Sequence, residues 1–355
     1  MEKPQYYDGT KLLSLLDLDG NKPEIYLCTT NRTGGKTTYF SKVLFQRFLR
    51  SGSKFCLIYR YGYQLESCAD NFFKVIKSIW FSQYYMTSKP KTKGKYYELY
   101  VSTSPDNEDA KHCGYAIALN DSEFIKNNSS LFSDVDIMLF DEFQSESSNY
   151  CTDELTKFKS IHTSIARGNG EQCRYVPVIM LSNQVSIINP YYTSLGICDR
   201  LQEDTNFLKG HGFVLENGFV ETASRAQLES GFNKAFGGDD DNYVNYSSQN
   251  VYLNDSMAFI EKPNGKGRYI VTLKYKNREY AIREFRELGY LYCDDRVDVT
   301  FKNKISVTTD DHNINYVMLK TSDTFITTLR WYFDHGAFRF KDLRCKEALL
   351  RCISY

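Results

Sequence analysis

Two short polar stretches carry residue types that could bind and hydrolyse a nucleoside triphosphate. The first, residues 30–38, reads Thr-Asn-Arg-Thr-Gly-Gly-Lys-Thr-Thr. Glycines let consecutive backbone N–H groups turn toward a phosphate, a lysine reaches the β- and γ-phosphates, and a threonine hydroxyl can join a magnesium shell. We therefore predict a phosphate-binding loop whose nucleotide contacts come from Thr30, Asn31, Arg32, Thr33, Gly34, Gly35, Lys36, Thr37 and Thr38. The alternative is a strand-to-helix turn that uses glycine only for positive φ.

The second stretch is an apolar run, residues 137–140, that ends in Asp141 and Glu142. A carboxylate at the end of a buried strand can hold magnesium, and its neighbour can activate the attacking water as a general base. We assign the first role to Asp141, together with Thr37, and the second to Glu142. The alternative is a strand that simply ends in acidic residues at the surface.

Three further polar residues lie beside predicted elements. Asn183 follows the apolar run 176–181 and could sense the γ-phosphate. Arg32 lies inside the glycine loop, where it could contact the γ-phosphate of its own subunit. Arg167 follows a predicted helix and could reach the nucleotide of a neighbouring subunit, an arrangement worth about 10³–10⁵ in rate. The alternative for Arg167 is a surface arginine near a glycine turn.

The elements that must position these residues alternate along the chain. Apolar runs predict strands over 25–28, 53–59, 114–119, 135–140 and 176–181, with helical periodicity over 39–49, 65–82 and 153–166. This pattern predicts an α/β fold with a mostly parallel sheet, whose strand ends meet at one edge and bind ligands there. A short helix over 12–18, a lysine-rich hairpin around 89–95 and a hairpin over 212–220 complete the first region. The hairpin lysines could contact a phosphate backbone or form a solvated turn.

A change in composition predicts domain boundaries. Residues 1–222 form the nucleotide-binding domain, the polar residues 223–252 a linker, and residues 253–355 a smaller α+β domain. In the last domain we expect strands over 257–261, 269–275, 278–285, 290–293 and 305–308, then helices over 322–335 and 341–353.

Bulk composition excludes several classes of protein. The 355 residues carry 44 basic and 44 acidic side chains, so the chain does not coat nucleic acid by bulk charge. No apolar run reaches the ~20 residues of a membrane span, so we expect no membrane association. The ten cysteines form no C-x-x-C pair, which fits reduced cysteines of a cytoplasmic protein.

Several motifs occur together and in order: Arg32 inside the Gly-Lys-Thr loop, Leu-Phe-Asp-Glu-Phe at 139–143, Leu-Ser-Asn-Gln-Val-Ser-Ile-Ile-Asn-Pro-Tyr-Tyr at 181–192, Ala-Phe-Ile-Glu-Lys at 258–262 and Val-Thr-Thr-Asp-Asp at 307–311. The set resembles the DNA-packaging ATPases of small podophages with protein-primed genomes, the phi-twenty-nine type. The resemblance spans most of the chain, and the run at 181–192 is its most specific part.

The resemblance implies an additional-strand catalytic-glutamate (ASCE) P-loop ATPase domain, a linker and an RNase H-like C-terminal domain. It further implies a pentameric ring on the portal of an empty procapsid that drives double-stranded DNA inward with ATP and Mg²⁺. A packaging RNA is an additional implied partner. Such a motor would work in the host cytoplasm, at the portal vertex, and would be absent from the mature virion.

Carried over by position, the resemblance makes Lys36 and Thr37 the Walker A pair, Asp141 and Glu142 the Walker B pair, and Asn183 the coupling residue. It also implies a trans-acting role for Arg167 and for a second basic residue, Lys126. Two departures matter. Thr30 replaces a loop glycine, and residues 168–173 are longer and less basic than in the family, so the trans arginine could instead be Arg174.

The C-terminal domain offers acidic residues that a two-metal nuclease would need: Glu261, Asp294, Asp295, Asp310 and Asp311. The family resemblance implies a degenerate nuclease site, so we expect no nuclease activity. Two other functions stay open at this point: a P-loop DNA helicase or replication ATPase, and a terminase with an active nuclease.

Overall fold

The computed structural model describes residues 6–147, 149–167, 172–198, 200–201, 205–235 and 258–353. The chain divides into two compact units, Met1–Asn254 and Asp255–Tyr355. Among the described helices, none is both long enough and apolar enough to cross a membrane.

The first unit is built on one nine-stranded sheet with the order β3-β4-β5-β2-β6-β7-β1-β9-β8. Its strands are β1 (Ile25–Thr29), β2 (Lys54–Tyr59), β3 (Tyr85–Lys91), β4 (Tyr96–Ser102), β5 (Lys111–Ala118), β6 (Val135–Asp141), β7 (Val178–Ser182), β8 (Phe207–Gly210) and β9 (Phe213–Asn217). The central strands from β5 to β9 pair in parallel, whereas β3–β4, β4–β5 and β8–β9 are antiparallel. Two apolar clusters bury the two faces of the sheet, as the unbroken apolar runs of its central strands require.

The helices of this unit are α1 (Thr10–Ser14), α2 (Lys36–Ser51), α3 (Cys68–Ile79), α4 (Ser122–Asn127), α5 (Glu154–Ala166), α6 (Pro190–Leu195), α7 (Glu221–Glu229) and α8 (Gly231–Ala235). The α/β class and the parallel sheet confirm the predicted fold. Strand β7 lies between β1 and β6, which is the additional strand that the ASCE class implies. The ends of these three strands therefore bring the glycine loop, Asn183 and the Asp141–Glu142 pair to one edge.

Local predictions had mixed outcomes. The lysine-rich hairpin is confirmed, since β3 and β4 pair across a turn in which Thr92, Lys93 and Gly94 have positive φ. The hairpin over 212–220 is wrong, because β9 pairs with β8 on one side and in parallel with β1 on the other. The opening helix is shorter than predicted and spans only Thr10–Ser14.

The predicted linker lies partly outside the described residues, which stop at 235 and resume at 258. Its first part is helical, as α7 and α8. Ala223 of α7 packs into an apolar cluster of the first unit, so this helix is part of that unit's core.

The second unit contains a six-stranded mixed sheet with the order β14-β13-β10-β11-β12-β15. Its elements are β10 (Arg268–Tyr275), β11 (Arg278–Phe285), β12 (Tyr290–Asp294), β13 (Lys304–Ser306), β14 (Val317–Met318), α9 (Thr324–Asp334), β15 (Phe338–Phe340) and α10 (Leu343–Ile353). Both helices pack on one face of the sheet through a single apolar cluster, which confirms the predicted small α+β domain. In place of the strand predicted at 257–261, the described residues form only a bridge between Ile260 and Phe340.

Candidate nucleotide-binding site

The loop between β1 and α2 turns through two residues with positive φ. Thr33 has φ 60° and Gly35 has φ 92°, values that glycine adopts freely and a threonine only at a cost. Gly35 is the N-cap of α2, a helix of 16 residues. The unpaired N–H groups of the first turn of α2 therefore face the loop, with the positive end of the helix dipole behind them.

The side chains of Thr30 and Asn31 hold the loop in place instead of facing a ligand. Thr30 is fully buried, and its N–H donates to the carbonyl of Ser182, so β1 and β7 stay paired where the motif has glycine. The Asn31 side chain donates to the Val220 carbonyl at 3.1 Å and accepts from the Val220 N–H at 2.9 Å. The side chains of these two residues are therefore not available to a phosphate.

The Lys36 ammonium lies between the ends of β7 and β6. Its Nζ donates to Asn183 Oδ1 at 2.6 Å, and the residue is buried. Burial lowers the pKa of Lys36, and the Asp141 carboxylate opposes that shift. The structure thus brings together three of the predicted site residues, because Asn183 and Asp141 both interact with the buried Lys36.

Asp141 and Thr37 lie beside Lys36. The Thr37 hydroxyl hydrogen-bonds to Asp141; burial raises the pKa of the Asp141 carboxyl, and Lys36 and Thr37 lower it. Both side chains, with Glu142, line a cavity of about 410 Å³. Two oxygen donors, one of them anionic, fit the hard magnesium ion that the fold family implies.

Glu142 adopts φ 56°, a strained conformation for a residue with a side chain. Its N–H donates to Asp141 Oδ1 at 3.0 Å. Burial raises the pKa of Glu142, and the carboxylates of Asp141 and Glu146 raise it further, whereas Arg32 and Lys36 lower it. A carboxylate whose pKa is raised accepts a proton more readily, as a general base must.

Arg32 forms an ion pair with Glu146, a residue that the sequence-based prediction did not include. Both line a cavity of about 630 Å³ that also contains Glu142 and Asn183. Arg32 therefore faces the same space as the candidate base. Thr33 turns its hydroxyl to the Arg32 carbonyl at 2.7 Å.

A third cavity, of about 1030 Å³, also borders the loop. Thr38 and the other residues of the first turn of α2 form one wall, and the aromatic rings of Tyr6 and Trp80 contribute to the lining. The Tyr7 N–H donates to the Gly34 carbonyl at 2.8 Å, so the segment before α1 is tied to the loop.

Sequence reasoning missed Arg60, which directly follows β2. Its guanidinium donates to both oxygens of Glu154, at 3.1 and 3.0 Å, and to the carbonyls of Glu142 and Phe143. The arginine thereby fixes the turn that carries the candidate base. A charged residue at the end of an apolar strand was the only signal for it in the sequence.

The run at 181–192 has a structural explanation. Asn189 caps α6 by accepting from the N–H groups of Tyr191 and Tyr192, and the Tyr191 hydroxyl donates to Glu154 at 2.8 Å. Gln144, two residues after the candidate base, accepts from the N–H groups of Val185 and Ser186. The segment after Asn183 is therefore bonded directly to the turn that follows Glu142.

Arg167 and Arg174 differ sharply in their surroundings. Arg174 donates to the carbonyls of Ile165 and Val135, at 3.1 and 3.2 Å, which ties the end of α5 to the start of β6. Arg167 is exposed, and its side chain makes no hydrogen bond or ion pair with the described residues. Residues 168–171 lie outside the described part.

Lys126 is exposed in the last turn of α4. It lines none of the cavities around the glycine loop that involve described residues. The structure therefore does not bring Lys126 to the nucleotide site of its own subunit.

Four of the five carboxylates considered for a nuclease site are already engaged. Asp294 pairs with Arg283, Asp295 with Lys341, and Glu261 with Arg339. Asp311 accepts from two backbone N–H groups and from Thr308. Among the described residues, no group of three or more His, Cys, Asp or Glu side chains is placed to hold a metal ion.

Comparison with solved structures finds a similar fold over nearly the whole chain. The bacteriophage Phi-29 viral genome packaging motor assembly matches with a TM-score of 0.70 at 22% identity, covering 98% of this chain and 99% of that one. The Phi-28 gp11 DNA packaging motor matches with a TM-score of 0.60 at 17% identity, covering 99% and 98%. At these identities the likeness shows the fold alone.

Sequence comparison extends over nearly the whole chain. The DNA packaging protein of Bacillus phage phi29 is 25% identical over 348 residues, which cover 96% of this chain and 94% of that protein. The DNA packaging protein of Bacillus phage B103 is 26% identical over 327 residues, or 90% and 92%. The family model of the podovirus DNA encapsidation protein (Gp16) matches residues 1–353. This chain belongs to the podovirus DNA encapsidation protein (Gp16) family.

Proposed function

We propose that this chain is an ATP-driven motor that moves viral double-stranded DNA into a preformed procapsid. The observation that carries the proposal is the convergence of Lys36, Thr37, Asp141, Glu142 and Asn183 at the ends of three adjacent strands. The relatives named above are DNA packaging proteins, which supports this use of ATP hydrolysis.

Each residue has a role that its surroundings support. The loop N–H groups and Lys36 bind the phosphates, and Thr37 and Asp141 hold Mg²⁺, which supplies charge stabilisation at the transferred phosphoryl group. Glu142 takes the proton of the attacking water. Arg32 lies in the cavity that contains Glu142 and Asn183, close enough to the reacting end to pair with the γ-phosphate once it leaves Glu146. The cavity beside Tyr6 and Trp80 accepts the nucleoside.

Arg167 acts on the nucleotide of a neighbouring subunit. Helix α5 has 13 residues, so it is roughly 20 Å long. The helix starts at Glu154, which pairs with Arg60 beside the Glu142 turn. At its other end, Arg174 connects the last turn of the helix to Val135, the first residue of β6. Arg167 thus lies at the opposite edge of the sheet from its own glycine loop. An arginine so placed reaches a nucleotide only across a subunit boundary, and we propose Lys126 as a second basic residue at that boundary.

The proposal includes a ring of subunits, five by analogy with the family, at the portal vertex of the procapsid in the host cytoplasm. Double-stranded DNA, the portal and a packaging RNA are the proposed partners. We further propose that the C-terminal unit does not cleave DNA, because its candidate metal-binding carboxylates are mostly bound to cations or backbone N–H groups.

Replacing Glu142 tests the catalytic assignment. Glu142→Gln keeps the shape of the side chain and removes its basicity, so turnover of ATP should fall by about 10²–10⁴ while ATP still binds. Turnover by steady-state phosphate release and affinity by fluorescent-nucleotide titration measure the two effects. Glu123→Gln, on the exposed side of α4, is the matched control. Near wild-type turnover by Glu142→Gln would contradict the proposal.

A further inference from the structure

The turn that carries Glu142 is held by contacts that lead to two different parts of the first unit. Arg60 binds the carbonyls of Glu142 and Phe143, and the Phe143 N–H donates to the Leu181 carbonyl at 3.0 Å. Arg60 follows β2 and Leu181 lies in β7, so these contacts fix the turn to the central sheet. The side chain of Gln144 leads instead to the segment that follows β7.

Gln144 connects this turn to the residue that contacts Lys36. Its Oε1 accepts from the Val185 N–H at 3.1 Å and from the Ser186 N–H at 2.9 Å. The Val185 N–H also donates to the Asn183 carbonyl at 3.1 Å, and Asn183 Oδ1 accepts from Lys36 Nζ at 2.6 Å. A continuous series of contacts therefore runs from the candidate phosphate-binding lysine to the turn of the candidate base.

The hydrogen-bonding capacity of Gln144 is only partly used. The residue is buried, and its Nε2 has no hydrogen-bond partner among the described residues. The hydroxyl of Tyr192, on α6, is buried and lacks a partner within the same part of the chain. Burial raises the pKa of Tyr192, whereas Thr29 and Gln144 oppose that shift, so the amide and the hydroxyl are neighbours. An unused donor beside an unused acceptor defines a second arrangement of Gln144, and a coupling element needs two arrangements.

We propose that Gln144 is a positioning residue that transmits occupation of the phosphate site from Asn183 to Glu142. The inference rests on the proposed function, because it takes Lys36 as a phosphate ligand and Glu142 as the base. An anionic acceptor competes with Asn183 for the Lys36 ammonium, so the bond between these two residues weakens and the segment 183–186 shifts. Gln144 follows through its bonds to that segment, and its Nε2 then donates to the Tyr192 hydroxyl. The turn that carries Glu142 is thereby repositioned for proton abstraction.

Steady-state kinetics of the full-length protein separate positioning from binding. Gln144→Met keeps a side chain of similar length and removes the acceptor, so kcat should fall about 10–100-fold while the KM for ATP stays near the wild-type value. Asp109→Ala is the matched control, because Asp109 accepts from the N–H groups of Thr103 and Ser104 on the connection between β4 and β5. This control should keep the wild-type kcat.

Two kinetic outcomes are contradictory in different ways. If the wild-type protein hydrolyses ATP and Gln144→Met keeps its kcat, the inference about Gln144 is wrong and the proposed function stands. If the wild-type protein does not hydrolyse ATP, both are wrong.

Hydrogen–deuterium exchange gives a readout that does not depend on turnover. Exchange is followed by mass spectrometry with and without AMP-PNP and Mg²⁺, in peptides that contain residues 142–145 and 183–187. The analogue should change exchange in both segments of the wild-type protein. In Gln144→Met the response of 183–187 should persist and that of 142–145 should become smaller. Responses equal to those of the wild-type protein in both segments would show a merely structural role and overturn the proposal.

Tyr192→Phe tests the second arrangement of Gln144. Removing a buried hydroxyl that has no partner should leave the melting temperature of the nucleotide-free protein unchanged or raise it. The further rise that AMP-PNP causes should be smaller than in the wild-type protein, and kcat should fall, because the bond from Gln144 no longer forms. A folded Tyr192→Phe protein with the wild-type kcat and the wild-type response to AMP-PNP would refute this arrangement.

Discussion

At the scale of single residues, the proton affinity of Glu142 is set by charges on both sides of it. Burial and the carboxylates of Asp141 and Glu146 raise its pKa, and Arg32 and Lys36 lower it. Since a general base works as the carboxylate, ATP turnover should rise with pH through the pKa of Glu142. The acid limb of the pH–rate profile should therefore lie above the range of an ordinary glutamate.

Changing Glu146 moves this limb in a predictable direction. Glu146→Gln removes a negative charge that raises the pKa of Glu142 and releases Arg32, which lowers it. Both effects lower the pKa, so the acid limb of turnover should shift to lower pH. Rates measured across pH with saturating ATP check the shift, with Glu123→Gln as control. A shift to higher pH would refute the electrostatic account.

At the scale of secondary-structure elements, the buried ion pair between Arg60 and Glu154 connects four elements. Arg60 follows β2, Glu154 begins α5, the carbonyls that Arg60 binds follow β6, and Tyr191 of α6 donates to the same Glu154. The side chain of Glu154 is 1% exposed and that of Arg60 is 10% exposed. Removing one partner of a buried ion pair is costly because the other charge stays buried without a partner.

Arg60→Ala should therefore lower the free energy of unfolding of the first unit by about 3–5 kcal/mol. It should also reduce ATP turnover, because the carbonyls of the Glu142 turn no longer accept hydrogen bonds from the guanidinium. Chemical denaturation followed by circular dichroism measures the first effect. Arg50→Ala, an exposed arginine in the last turn of α2, should change stability by about 0.5 kcal/mol or less. Equal destabilisation of the two variants would contradict the role given to the buried pair.

At the scale of the whole molecule, the first unit presents its glycine loop at one edge of the sheet and Arg167 at the other. If identical subunits associate head to tail, the glycine-loop edge of one subunit meets the Arg167 edge of the next. The subunits form a ring when the rotation from each one to the next returns to the first subunit. If Arg167 acts in trans as proposed, ATP turnover is a property of the boundary between two subunits.

Mixing inactive variants tests this arrangement. Lys36→Ala removes a phosphate ligand and Arg167→Ala removes the proposed trans arginine, so each protein alone should turn over ATP slowly. In mixed rings, a boundary that combines an intact loop with an intact arginine should restore part of the activity. The ratio series is measured by phosphate release, and a Lys36→Ala/Arg167→Ala double variant mixed with either single variant is the control. No recovery at any ratio would argue that Arg167 acts within its own subunit or not at all.

The sequence by itself determined the fold class, the glycine loop and the acidic pair, because these depend on local periodicity and on short motifs. Strand β7 was predictable as a buried strand, and the run at 181–192 carried the family resemblance. What only the tertiary structure decided are contacts between residues far apart in the chain. Arg60 meets Glu154, Asn31 meets Val220, and Arg32 meets Glu146, and no local pattern marks such pairs. Only folding likewise shows that the Arg174 guanidinium is bound to backbone carbonyls while Arg167 is exposed, and this difference is why we propose Arg167 as the trans arginine.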